Sequence, residues 1–225
     1  MTPTLRTDTP QVESGADTIE LLGLVAQLEL LSFTRLAADS AQAPTLEQRL
    51  ELSRFAAASV ERRDRVLSRI AELGGDPVSA VAEFEHVLDD FDARTQPGSW
   101  WERLLTNYVG YGVAEDFCRI AAAGLDEQSR DLVLEVLGDS ERGDLTVAAL
   151  GAAGSGDAVL VSRLALWGRR LVGESLGVVQ ALLVSRPGLV RLVDRGAAQE
   201  GAPAKLFGEL TAQHTRRMGR LGLTA

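Results

Sequence analysis

Apolar residues recur at three- to four-residue spacing through most of the chain, the period of an amphipathic helix. Nowhere do they alternate in the two-residue period of strands between hairpin turns. The first stripe, Leu21, Leu22, Val25, Leu28, Ser32 and Leu36, predicts a helix over 17–38, with Glu29 among its apolar positions. A link of small and polar residues, 39–44, follows. Thr45-Leu46-Glu47-Gln48 has the form of a capping box, whose hydroxyl and amide side chains satisfy backbone amides at a helix start. This second helix runs to Leu73 and stops at Gly74-Gly75. At roughly 100° per residue, Leu52, Phe55, Ala56, Ser59, Arg62, Arg63, Val66, Ile70 and Leu73 share one face. Ser59 and Arg62 therefore point inward, and Glu61 and Asp64 do not.

Asp76-Pro77 is an N-cap followed by a first-turn proline, so a shorter helix begins there, with Val78, Val81, Phe84, Val87, Leu88 and Phe91 on its apolar side. Two consecutive antiparallel helices need only a few connecting residues. The longer stretch to Gly98 predicts a crossover that leaves the second and third core helices parallel. The third core helix opens with a second capping box, Ser99-Trp100-Trp101-Glu102, and reaches about Ala123. Trp101, Leu105, Tyr108, Gly112, Asp116 and Arg119 form its inner stripe, with Glu115 at the border. Gly110 and Gly112 weaken that helix, which implies a close neighbour or a need for room. Asp126 caps a fourth helix, predicted to run unbroken to Leu150 along Leu132, Glu135, Val136, Asp139, Arg142, Gly143 and Thr146. A flexible linker over 151–156 and a helix over 157–184 follow. Arg186-Pro187 interrupts the pattern, a short helical segment covers 188–195, and a last helix runs from Pro203 to about Leu223.

The expectation is an all-α protein: a lead-in over 1–16, a four-helix bundle over 17–151, and C-terminal helices over 157–225 packed on the same domain. No charged and apolar leader pattern and no run of eighteen apolar residues appears, so a soluble cytoplasmic protein is expected. The single cysteine, Cys118, excludes an internal disulfide. Net charge is −9, but the distribution is uneven: 151–225 carries +5 and 1–150 carries −14. An acidic chain disfavours general nucleic-acid binding, although the C-terminal arginines could form a local basic face.

Superimposing the inner stripes brings Glu29, Ser59, Arg62, Asp116, Asp139 and Arg142 to similar heights, near the middle of their helices. Carboxylate-bridged di-iron bundles place one Glu on each of two helices and a Glu-x-x-His on each of the other two. The stretches 108–117, 164–174 and His214-Thr215-Arg216-Arg217-Met218 resemble actinobacterial ferritin-like proteins similar to tRNA 2-methylthio-isopentenyladenosine hydroxylases. That resemblance implies a ferritin-like fold and a non-haem di-iron centre that activates dioxygen. Carried over by position, Glu29, Asp116 and Asp139 stand at ligand positions. Ser59 replaces an acid, and Arg62 and Arg142 replace both histidines. Arginine stays protonated and offers only donors. The expectation is therefore a vestigial site without metal, held by a buried ion network that includes Ser59, Arg62 and Arg142.

Gly173-Glu174-Ser175-Leu176-Gly177 matches a nucleophile elbow by letters but lies in a helical stretch without the required strand. His86 and His214 belong to no ligand-spaced pair and read as partly exposed surface residues. Cys118 reads as a small packing residue. Three functions follow. The first is a metal-free structural or interaction protein, with homodimerisation possible for the fold. The second is a di-iron or other metal-dependent oxygenase whose ligands lie among Glu61, Asp64, Glu115, Glu141 and Asp144. The third is tRNA binding through the C-terminal arginines.

Overall fold

The computed structural model describes residues 9–138, 141–197 and 202–225, with side chains for 14–138, 143–197 and 205–225. Those residues are mostly helical and include no strand. Helix α1 (Thr9–Gln42) and α2 (Leu46–Glu72) form a long hairpin. The connection to the third core helix holds two short helices, α3 (Pro77–Ala82) and α4 (Asp89–Arg94), rather than one. The third core helix is α5 (Trp100–Leu105), a π-helical turn (Thr106–Gly110) and α6 (Tyr111–Ala122). Helices α7 (Glu127–Val136), α8 (Glu141–Gly154), α9 (Ala158–Ser185), α10 (Pro187–Gly196) and α11 (Ala202–Arg220) complete the chain.

The capping oxygens of Thr45, Asp76, Ser99 and Asp126 act as the sequence predicts, but Gln48 does not complete the first capping box, since its side-chain oxygen is buried without a hydrogen-bond partner. Thr45 Oγ1 accepts from the Gln48 amide at 3.2 Å, and Asp76 accepts from Ser79 at 2.9 Å. At the second capping box, Ser99 Oγ accepts from the Glu102 amide at 3.3 Å, while Glu102 reaches back to the Gly98 amide at 2.7 Å, one residue before the cap, rather than to the Ser99 amide. Asp126 caps α7 through the Ser129 amide at 3.0 Å and also meets Arg69 of α2 at 3.1 Å. Asp126→Ala should therefore cost about 1 kcal/mol, the usual worth of an N-cap, as read from the midpoint of urea unfolding.

Ion pairs give the helix directions. Asp17, near the start of α1, binds Arg191 and Arg195 of α10. Arg195 also donates to the carbonyl of Gly124, just past α6. Asp39, near the end of α1, accepts from Arg103 at 3.0 Å and Asn107 at 2.5 Å, at the other end of the third core helix. Thus α1 runs against α5–α6, and α2 runs parallel to it, as the long crossover requires. Arg65 with Glu135 and Arg69 with Asp126 set α7 antiparallel to α2.

Helix α1 departs from a one-faced amphipathic helix. Leu21 to Glu29 are nine consecutive buried residues, because α2, α3, α6 and α10 cover it from several sides. By length and composition α1 could cross a membrane, but most of its apolar window is buried inside the fold.

The fourth helix is the main correction. It does not continue from Asp126 to Leu150. Helix α7 ends at Val136, and α8 packs on α5 and α9. At the end of α7, Arg119 of α6 donates to the Leu137 carbonyl, an acceptor that a continuous helix would have used itself. Gly138 follows at this end. The predicted linker 151–156 is also corrected: the alanine-rich stretch stays helical through Gly154, leaving a tight turn with Gly156 at φ +92°. The last helix ends at Arg220, short of Leu223.

Within the π-helical turn, two side chains of α9 supply partners. Trp167 Nε1 donates to Thr106 Oγ1, and Ser175 Oγ donates to the Gly110 carbonyl, both at 2.9 Å. Ser175 thus has a structural role on a continuous helix, not a strand-to-helix elbow. At Gly110 an added Cβ would stand 2.8 Å from the Phe91 ring, which explains the glycine by close approach.

Candidate functional site: two buried ion clusters

The first cluster lies between α1 and α2. Glu29 is 4% exposed and Ser59 is fully buried. Arg62 sits one turn beyond Ser59, so its guanidinium spans both groups: Nε donates to Glu29 Oε2 and Nη2 to Ser59 Oγ, each at 3.0 Å. Ser59 Oγ is also 3.2 Å from Ser32 Oγ and from the Phe55 carbonyl. Glu61 and Asp64 are exposed, as helical phase requires, and Asp64 pairs with Arg63.

Asp116, on α6, belongs to a second cluster. Its carboxylate is 6% exposed and is gripped by two guanidiniums. Arg119, three residues on, donates at 2.9 Å. Arg217 of α11 contacts both oxygens, one of them at 2.8 Å. Arg119 also reaches Glu115 at 3.5 Å. Gly112 makes this possible, since a Cβ there would stand 2.8 Å from Arg217 Cζ and Nε. Asp139 and the side chains of Glu141 and Arg142 lie outside the described residues. The sequence-predicted constellation thus appears as Glu29, Ser59 and Arg62 in one cluster and Asp116 in another.

Arg217 is the member that the sequence reading missed. Arg119 was on the inner stripe, but the link from Asp116 to α11 spans 101 residues and has no local signature. His214 is a further correction: it is 2% exposed, not on the surface, and neither ring nitrogen has a hydrogen-bond partner. It continues the buried stripe Leu206, Leu210, Met218 along α11. Burial, reinforced by the charge of Arg217, lowers its pKa from 6.5 to about 4. His86 is exposed beside Asp89, and Cys118 is buried in the core.

Among the described residues the donor set does not fit a di-iron centre. Glu29 and Asp116 are engaged by guanidiniums, which would repel a cation, and neither expected histidine is present. Among the described residues no group of three or more His, Cys, Asp or Glu side chains could hold a metal ion. Two concavities adjoin the α6 residues. A small hollow between α1 and α6 is bordered by Ser32, Arg35, Asn107, Tyr111 and Glu115. A cleft of about 460 Å³ lies where α7 ends, facing α6 and α11. A larger groove, about 540 Å³, separates the crossover from α9; its rim charges pair as Glu83–Arg186, Arg94–Glu174 and His86–Asp89.

The helical topology, with its long crossover and inward carboxylates, agrees with a family comparison. The model for a ferritin-like domain of actinomycetes matches residues 14–196. The chain belongs to that family. No curated protein matches it. The ferritin-like match contains Glu29, Ser59, Arg62 and Asp116, but it ends before α11. Arg217, which closes the second cluster, therefore comes from beyond the ferritin-like stretch.

Proposed function

We propose that this ferritin-like protein works without metal, as a structural or interaction protein, its buried carboxylates neutralised by arginine. The observation that carries this reading is the Arg62 guanidinium bound to Glu29 and Ser59 within 3.0 Å. A carboxylate that ligates iron must present its lone pairs to the metal, whereas here one oxygen of Glu29 accepts from a fixed cation. The double grip on Asp116 supports the same conclusion on α6. Purified protein from cells grown with added iron and manganese should contain far less than one ion of either metal per chain. Near two ions per chain, measured by plasma mass spectrometry, would overturn the proposal. That result would favour a di-iron oxygenase akin to the tRNA-modifying hydroxylases.

A further inference from the structure

We propose that the cleft between α6, the end of α7 and α11 binds a small phosphate monoester. It does not rest on the absence of metal, because the residues that would hold the phosphate lie at the mouth of the cleft and on α11.

The cleft's volume, about 460 Å³, is within the range of small-ligand pockets, roughly 300–1,000 Å³. Among the described residues four guanidiniums line it: Arg119 from α6 and Arg216, Arg217 and Arg220 from α11. Three of them belong to the 151–225 stretch, which carries +5 in a chain of net charge −9. Their roles differ. Arg119 and Arg217 are fixed by Asp116, and Arg119 also by the Leu137 carbonyl, so they form a rigid inner wall. Arg216 is exposed and makes no ion pair in the described structure. Arg220 pairs with Asp144 at 2.7 Å, but both side chains are more than half exposed. Such a surface pair is weak, so Arg220 can transfer to a better partner at little cost.

Arg216 and Arg220 are four residues apart on one helix, where like charges repel. A phosphate between them would remove that repulsion and offer a planar fork three acceptor oxygens. Tyr108 gives an independent sign of an unmet contact: it borders the cleft, its hydroxyl is buried without a hydrogen-bond partner, and the Arg220 guanidinium lies 5.9 Å from its ring. The unpaired hydroxyl is an additional donor for a ligand that reaches it. Among the described residues Glu115 is the carboxylate in the wall, and Arg119 partly offsets it. The site is concave and local, which suits a compact ester better than an extended polyanion.

The full-length protein is titrated calorimetrically with ribose 5-phosphate, inorganic phosphate and ribose, at low ionic strength. Ribose 5-phosphate should bind, ribose should not, and the R216A/R220A double variant should bind about tenfold more weakly or less, with an unchanged melting temperature. Tyr108→Phe should weaken binding while leaving the protein without ligand as stable or more stable, since it removes a buried hydroxyl that has no partner. The proposal fails if ribose 5-phosphate does not bind, or if the double variant binds it as the parent does. Binding of tRNA without binding of the small ester would also overturn it.

Discussion

Arg62→Ala should destabilise the folded chain by about 3 kcal/mol, which for a domain of this size is a fall of about 6–12 °C in melting temperature. Glu29 and Arg62 have side chains only 5% and 13% exposed, so their mutual attraction is poorly screened and neither is well hydrated. Removing the cation leaves a buried carboxylate, and Ser59 Oγ also loses a donor. Breaking a buried pair typically costs about 3–5 kcal/mol. The lower end applies because Glu29 and Ser32 have further interactions. Glu29→Gln combined with Arg62→Met should recover most of the loss, since neither charge then remains to be solvated. Thermal and urea unfolding of the two single variants and the double variant check this. Equal, additive losses would show that the pair is not coupled.

His214→Leu should remove a specific loss of stability below neutral pH. In the fold the imidazole is buried without a partner and its pKa is about 4, against 6.5 in an unfolded chain. Between those values the unfolded chain binds the proton and the native chain does not. Stability is therefore fully present above pH 6.5 and falls as pH drops towards 4, by about 2–3 kcal/mol from this group. Leucine keeps the buried stripe of α11 and carries no proton. The stability difference between variant and parent should widen steadily from pH 7 to pH 4, while the carboxylates that both proteins share cancel. Parallel pH profiles would refute the assignment.

Local chemistry made much of the fold legible. Thr45, Asp76, Ser99 and Asp126 each supply an oxygen to an amide at a helix start, and each marks its helix within a residue or two. Helical phase placed Ser59 and Arg62 inside and Glu61 and Asp64 outside, because that decision needs only the 3.6-residue period. Crossover length gave the parallel course of α2 and α5–α6. The break after Val136 was not legible, since its cause includes a guanidinium from α6 meeting the Leu137 carbonyl. Arg217 could not be assigned to Asp116 until α11 was docked. His214 was different: it stood four residues after Leu210 and four before Met218, and that spacing could have shown that it faces the core. Its polarity obscured the pattern.

The enclosure of α1 also bears on the order in which the chain can be completed during synthesis. Asp17 is joined to Arg191 across 174 residues, and α10 forms part of the wall around the first helix. A nascent chain can pair α1 with α2 early, from neighbouring segments. The flank of α1 that α10 covers then stays wet until α10 has emerged from the ribosome. At roughly 5–20 residues per second this is a delay of several seconds or more. During that interval the part of α1 that α10 covers is open to chaperones or to another nascent chain. A helix made well before α10 is sealed only once α10 is present.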